Sequence, residues 1–368
     1  MKILILSCST GEGHNSAAKA VEEALLSHGV ECVIKDPVSF KSEKTEKLVA
    51  SLYNNMIKIA PTAFGAIYKV GEWYDSTGMK SPVYLANSSY AGELFDYIEK
   101  NGFDAVIATH LYGMEALTAI RKKLGKQVRS YGVMTDYAIT PFFCDIDLDG
   151  YFAPCDEIGK ELVQKGFPED RIYTTGIPVS ARFNFDMSRD EARGELGIPL
   201  DKKVFIVMSG GIGGGNVIGL CDELVKTADP DTLIYVLTGK NTKRRAKIEA
   251  RYRDNKNITA VPFTRQVNIY MRAADVMLSK PGGLSSTEAA VAAVPLIHIN
   301  TIPGCESENE KFFSSHGMSL MASDTAEAAA LAAELAADKE RSEKMREAQR
   351  RIINPRAAEN IVEVVTKS

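Results

Sequence analysis

The sequence predicts an α/β chain built as two parallel-sheet domains, and three observations carry that expectation. Short apolar runs that read as buried strands alternate with stretches of helical spacing from Lys2 onward, and the alternation starts afresh at Lys203. Glycine-rich turns follow several of those runs: Gly11-Glu12-Gly13, then Gly210-Gly211-Ile212-Gly213-Gly214-Gly215, then Pro281-Gly282-Gly283. The length of 368 residues suits two domains of ordinary size.

Composition narrows the class. Hydrophobic residues make up 45% and charged residues 25%, the balance of a globular protein with a packed core. A net charge of −4 and a pI near 5.9 argue against a nucleic-acid partner. The apolar run Ile3-Leu4-Ile5-Leu6 has a strand's length, and no later run approaches the roughly 20 apolar residues of a membrane span. A cytoplasmic chain is therefore expected. The six cysteines are scattered without a C-x-x-C pair, so free thiols are expected.

In the first half, Lys2 to Ser7 reads as a strand, Ser9 to Ser16 as its turn, Ser16 to Ser27 as a helix and Glu31 to Lys35 as the next strand. The turn lacks full G-x-G-x-x-G spacing because Ser16 stands at the third glycine, so a nicotinamide site is not indicated. It presents His14 at a helix start instead, a candidate base. Residues 43–75 break the rhythm. Leu48, Leu52, Tyr53, Met56 and Ile57 recur at helical spacing, and Phe64, Tyr68, Trp73 and Tyr74 follow beside Lys58 and Lys69. That pattern suits either a core helix or an element lying in a lipid headgroup layer. Phe103 to Ala108 and Gln127 to Met134 are further strands, ending at Thr109-His110 and Thr135-Asp136. Their carboxyl ends place His110 and Asp136 at the same sheet edge as His14. Strands from Asp149 and Arg171, with a helix from Asp156 between them, close this sheet. Asp145 to Gly150 matches the opening of a calcium loop, but the apolar strand Tyr151-Phe152-Ala153 follows it and no helix enters it, so no metal site is expected.

Residues 179–199 read as a polar linker after a first domain of residues 1–178. A second domain spans 200–350, and a last helix, 351–368, is expected to return toward the first domain. Strands are expected at Lys203 to Met208, Thr232 to Leu237, Ile258 to Phe263, Ala274 to Leu278 and Pro295 to Ile299. The glycine-dense turn Ser209 to Asn216 suits close approach to a pyrophosphate. Lys280-Pro281-Gly282-Gly283 leads into a helix expected from Ser285, whose N-terminus suits a phosphate and whose first turn would carry Glu288 toward a ribose.

The ordered set of these turns, with Asp36-Pro37-Val38, Thr135-Asp136-Tyr137, Thr175-Gly176-Ile177-Pro178 and Pro303-Gly304-Cys305-Glu306-Ser307-Glu308-Asn309, resembles the monogalactosyldiacylglycerol synthase and processive diacylglycerol glucosyltransferase family over nearly the whole chain. The resemblance implies a GT-B fold: two Rossmann-like domains facing across a cleft. It implies transfer of a hexose from a UDP-sugar to diacylglycerol or a glycolipid at an anionic membrane surface, by a protein peripheral on the inner face of the cell membrane. Donor contacts would come from Gly210, Gly211, Gly213, Phe263 beside the uracil, Gly282, Gly283, Ser285, Glu288, Glu306 and Asn309. The base would be His14 or Asp136, with Gly13, Tyr68, Trp73 and Tyr74 on the acceptor and membrane side. Cys305 stands where family members commonly have glutamine, which leaves glucose and galactose both open as the donor sugar. No cofactor and no metal are expected, since helix N-termini and glycine-rich amides stabilise a leaving diphosphate. A UDP-sugar epimerase of the same fold and a non-catalytic UDP-sugar sensor are the alternatives.

Overall fold

The computed structural model describes residues 1–8, 12–42, 81–208 and 216–367. The helix expected within residues 43–75 lies outside them, as do Tyr68, Trp73, Tyr74, Gly210, Gly211 and Gly213. The chain divides into two compact units: Met1–Ala181 with Ile302–Cys305 and Asn354–Ser368, and Arg182–Thr301 with Glu306–Ile353.

In the first unit six strands lie parallel in the order β2-β1-β3-β4-β5-β6: β1 Lys2–Leu6, β2 Glu31–Lys35, β3 Ala105–Ala108, β4 Ser130–Val133, β5 Gly150–Phe152 and β6 Ile172–Tyr173. Period-two alternation sorts the β1 side chains onto two cores. Ile3 and Ile5 join Ile107 and Val133 under helix α1 (Glu12–Ser27), while Leu4 and Leu6 join Val106 and Ala108 under helices α2 (Pro82–Asn87), α3 (Ala91–Asn101) and α4 (Leu111–Leu124). α5 (Asp156–Gln164) adds Ile158 and Leu162 to the second of these cores. Gly113 lets the start of α4 close on the sheet, since a Cβ there would stand 3.0 Å from that of Leu6 and 3.2 Å from that of Ala108.

The second unit repeats the plan in the order β12-β11-β10-β7-β8-β9, with β7 Val204–Met208, β8 Leu233–Leu237, β9 Ile258–Val261, β10 Val276–Ser279, β11 Leu296–His298 and β12 Leu320–Met321. Its helices are α6 Arg189–Leu196, α7 Val217–Thr227, α8 Thr242–Arg251, α9 Val267–Ala273, α10 Gly283–Val291, α11 Cys305–Ser315, α12 Thr325–Ala337 and α13 Lys339–Ile352. A last helix, α14 Ala357–Lys367, packs in the first unit on α1 through Ala358, Ile361, Val362 and Val365.

Residues 179–199 do more than link. Ser188 opens α6 with a reciprocal capping box to Glu191. From α6, Arg193, 1% exposed, bonds Asp275 Oδ2 at 2.8 Å and the carbonyls of Ala273, Leu200 and Lys202. The same Asp275 oxygen accepts from Val204 N–H at 2.8 Å, and its other oxygen takes Arg189 at 2.5 Å. The fixed guanidinium fork joins the start of β7 to the start of β10 and satisfies groups that would otherwise be buried unpaired. Elsewhere, the acids of the calcium-like stretch are ion-paired: Asp147 with Arg121, Lys122 and Arg171, and Asp149 with Arg121.

Truncating the buried partner leaves Asp275 and three carbonyls without that fork. Arg193→Met is expected to destabilise the second unit by about 3–5 kcal/mol. Arg189→Ala, removing a half-exposed partner of the same acid, is expected to cost less than about 1 kcal/mol. Urea denaturation followed by circular dichroism measures both, and equal losses would show that burial does not set the difference.

Candidate active site

Each sheet reverses its strand order once beside its first strand: between β1 and β3 in the first unit, and between β7 and β10 in the second. The carboxyl ends of strands at such a reversal leave a crevice into which helix N-termini point.

At the first reversal stands His14. α1 begins at Glu12, four residues earlier than the sequence suggests, so Gly13 and His14 lie in the first helical turn and not in the preceding loop. The glycine does not break the helix, because its cost there is conformational entropy of only about 0.5–1 kcal/mol relative to alanine. Ser7, at the end of β1, donates to Asn15 at 2.6 Å and steadies that turn. His14 Nδ1 lies 2.9 Å from the Thr109 carbonyl oxygen and 2.9 Å from the Thr135 hydroxyl. A carbonyl only accepts, so Nδ1 carries the hydrogen and Nε2 keeps its lone pair. Burial pushes the imidazole below its usual 6.5, while Asp136 and the Thr109 carbonyl pull the other way. The result is a neutral ring whose free nitrogen is ready to take a proton. Asp136 is half-buried at the end of β4 and acts on His14 through its charge.

At the second reversal stands the donor candidate. α10 begins at Gly283, with Gly282 as its N-cap and no side chain closing it. The N-cap glycine thus offers its first amides no side-chain acceptor. Ser285 Oγ turns back to the Gly282 carbonyl at 3.2 Å. Because Gly283 and Leu284 are already helical, Glu288 falls in the second turn and not the first. It makes no hydrogen bond or ion pair with the described residues, and burial pushes its carboxyl up to about 7 against the pull of Arg182. Behind the helix, His298 on β11 bridges Ser286 Oγ at 3.0 Å and Ser319 Oγ at 3.2 Å. Burial drives its pKa down to about 3, so it stays neutral and structural.

α11 brings two further candidates to the same turn. Asn309, fully buried, donates to the Pro281 carbonyl at 3.1 Å. Glu306 accepts from Lys280 Nζ at 2.7 Å. Phe263 lies just past β9 with its ring 58% exposed and the Lys240 ammonium 5.9 Å from its centre. Sequence reasoning missed the roles of Thr109, Thr135 and Lys280. The Thr-His and Thr-Asp pairs at successive strand ends were the available signal for the first two. Among the described residues no group of three or more His, Cys, Asp or Glu is placed to hold a metal ion.

Two family models match the chain. Residues 14–179 match the monogalactosyldiacylglycerol (MGDG) synthase family, and residues 216–364 match the glycosyltransferase family 28 C-terminal domain. The processive diacylglycerol beta-glucosyltransferase of Bacillus cytotoxicus is 27% identical over 376 residues, covering 99% of this chain and 93% of its own. Among solved structures, Acinetobacter baumannii MurG covers the full length of both chains with a TM-score of 0.66 at 14% identity. The UDP-GlcNAc 2-epimerase of Neisseria meningitidis does so with a TM-score of 0.63 at 16% identity. These two likenesses concern the fold. With an MGDG synthase domain carrying the imidazole and a family 28 domain carrying the open helix, the chain is a GT-B glycosyltransferase of the monogalactosyldiacylglycerol synthase and processive diacylglycerol glucosyltransferase family.

Proposed function

We propose that this glycosyltransferase moves a hexose, glucose or galactose, from a UDP-sugar to a diacylglycerol-type lipid, by inverting transfer without a metal or other cofactor. The observation that carries the reading is His14 held as its Nδ1–H tautomer, with Nε2 free. The acceptor hydroxyl oxygen bonds to the sugar C1 as the C1–phosphate oxygen bond breaks. The electron pair goes to the UDP diphosphate, and the hydroxyl proton goes to His14 Nε2. One displacement inverts C1. The open start of α10 and the nearby Lys280 ammonium supply positive charge for the departing diphosphate. Glu288, half-buried and unpaired among the described residues, is suited to take the two ribose hydroxyls. The lipid acceptor is taken from the named activity of the relatives, and the proposal places the work at an anionic membrane surface, on the inner face of the cell membrane. No helix among the described residues is long and apolar enough to cross a membrane.

Three outcomes are expected. His14→Ala lowers turnover by roughly 10²–10⁴-fold with UDP affinity unchanged, and Asp136→Asn lowers it less. Steady-state rates with UDP-glucose and UDP-galactose on diacylglycerol vesicles, alongside calorimetric UDP titration, test this. The base is Asp136 if the order is reversed.

Ribose hydroxyls bind the ionised form of Glu288. UDP affinity should therefore rise about tenfold from pH 6 to pH 8 beyond whatever Glu288→Gln shows, with that variant weaker by about 1.5–3 kcal/mol at pH 8. Because the folded carboxyl sits near 7, above its usual 4.5, the free protein loses stability as pH rises through that window. The Gln variant should then melt higher than the parent at pH 8. A pH-independent difference in both titration and melting would remove Glu288 from the donor site.

Residues 48–74 are expected to bind anionic vesicles in a salt-weakened manner. Co-sedimentation of a variant with Trp73 and Tyr74 both changed to Ser measures it, and unchanged partitioning assigns the segment to a core.

A further inference from the structure

Two imidazoles meet at the first reversal. The His14 and His110 rings stand 4.5 Å apart, centre to centre, at 83°, and Tyr112 lies against His110 at 4.4 Å and 73°. His110, 8% exposed, is the N-cap of α4: its Nδ1 accepts the Tyr112 N–H at 3.2 Å. A doubly protonated imidazole has no lone pair to accept with. Charging His110 would therefore break the cap and strand a helix-terminal N–H. Burial and the neighbouring His14 both oppose that charge as well. His14 is wired the other way. Its Nδ1 hydrogen already points at the Thr109 carbonyl, so a second proton on Nε2 breaks no bond.

We propose that His110 is a positioning residue for the base: as a neutral N-cap it confines the acceptor's proton to His14 and keeps water from that ring. The inference rests on His14 being the base and extends it to a residue with no assigned role. Other groups face the pair. Thr135 bonds His14 and Asp136 acts on it through its charge; Tyr112 lies against His110, and Cys8, Glu115 and Asp36 act in turn on Tyr112. Tyr112 is pushed up to about 12, chiefly by burial, and stays neutral. Asp136 favours a charged His14, which makes a guard against water the more consequential.

The test uses the full chain with ¹³C-labelled histidine, His14 being assigned by the resonance lost in His14→Ala. His110→Asn keeps a capping acceptor and removes the ring; His110→Phe keeps the ring volume and removes the acceptor. In His110→Asn, with melting near that of the parent, the His14 titration midpoint is expected to rise by about half a pH unit or more as water reaches the ring. The acid limb of kcat/KM should move up with it, and turnover should fall about tenfold or more as the ring loses its fixed pose. In His110→Phe the midpoint should stay at the parental value while the melting temperature drops. His110→Ser takes the place of the Asn variant if that variant does not fold. An unmoved His14 midpoint in the cap-preserving variant overturns the proposal. The midpoint is read without turnover, so a failure of the base assignment shows separately, as a His14→Ala enzyme that keeps its rate.

Discussion

Both sheets obey one constraint: every strand runs in the same direction. A parallel strand cannot be joined to its neighbour by a tight turn, so each return passes through a helix. All strand-to-helix turns of a unit then open at one edge, and all the helix N-termini there point the same way. The candidate active-site residues depend on this. His14 and Thr109 are 95 positions apart and His14 and Thr135 are 121 apart, yet one ring nitrogen bonds both. Nothing local in the sequence brings them together. The carboxyl edges of β1, β3 and β4 do, because the register that pairs Leu6 with Ala108 also sets where each strand stops.

Much of this was legible because periodicity and glycine punctuation report on burial and backbone, and those decide strands and turns. The strand-to-helix plan, the family and the two candidate regions could be read from the chain. The misplaced boundaries have a common cause. α1 and α10 start earlier than read because glycine was taken as a turn residue at Gly13 and Gly283, whereas a first helical turn tolerates it. α6 was hidden because its hold on the second unit is one buried arginine and not an apolar face. The atoms that set the chemistry of His14 were less legible still. A carbonyl oxygen has no letter in a sequence, so the contribution of Thr109 is invisible until the backbone is in place.

Two acids of the second unit, Asp275 buried and Glu288 half-buried, show how differently the fold treats a carboxylate. Asp275 is surrounded by two guanidinium groups and a backbone N–H, and its charge is fully answered from within the protein. Glu288 has no such partners among the described residues, and burial raises its carboxyl to about 7. Asp275 fastens strands. Glu288 makes no hydrogen bond among the described residues, the state of a carboxylate that the donor-site proposal would pair with a ligand.

The placement of α14 has a consequence for how the molecule is made. All six strands of the first sheet are encoded before Thr174, but one face of β1 is closed partly by Ile361, Val362 and Val365, near the far end of the chain. At roughly 5–20 residues per second, a ribosome needs about 10–40 s to pass from one to the other. Through that interval the nascent first unit carries an uncovered apolar strip of α1 and its neighbours, while Arg182 to Ile353 emerge and acquire a core of their own. The last residue of the second unit, Ile353, is therefore encoded before the helix that closes the first.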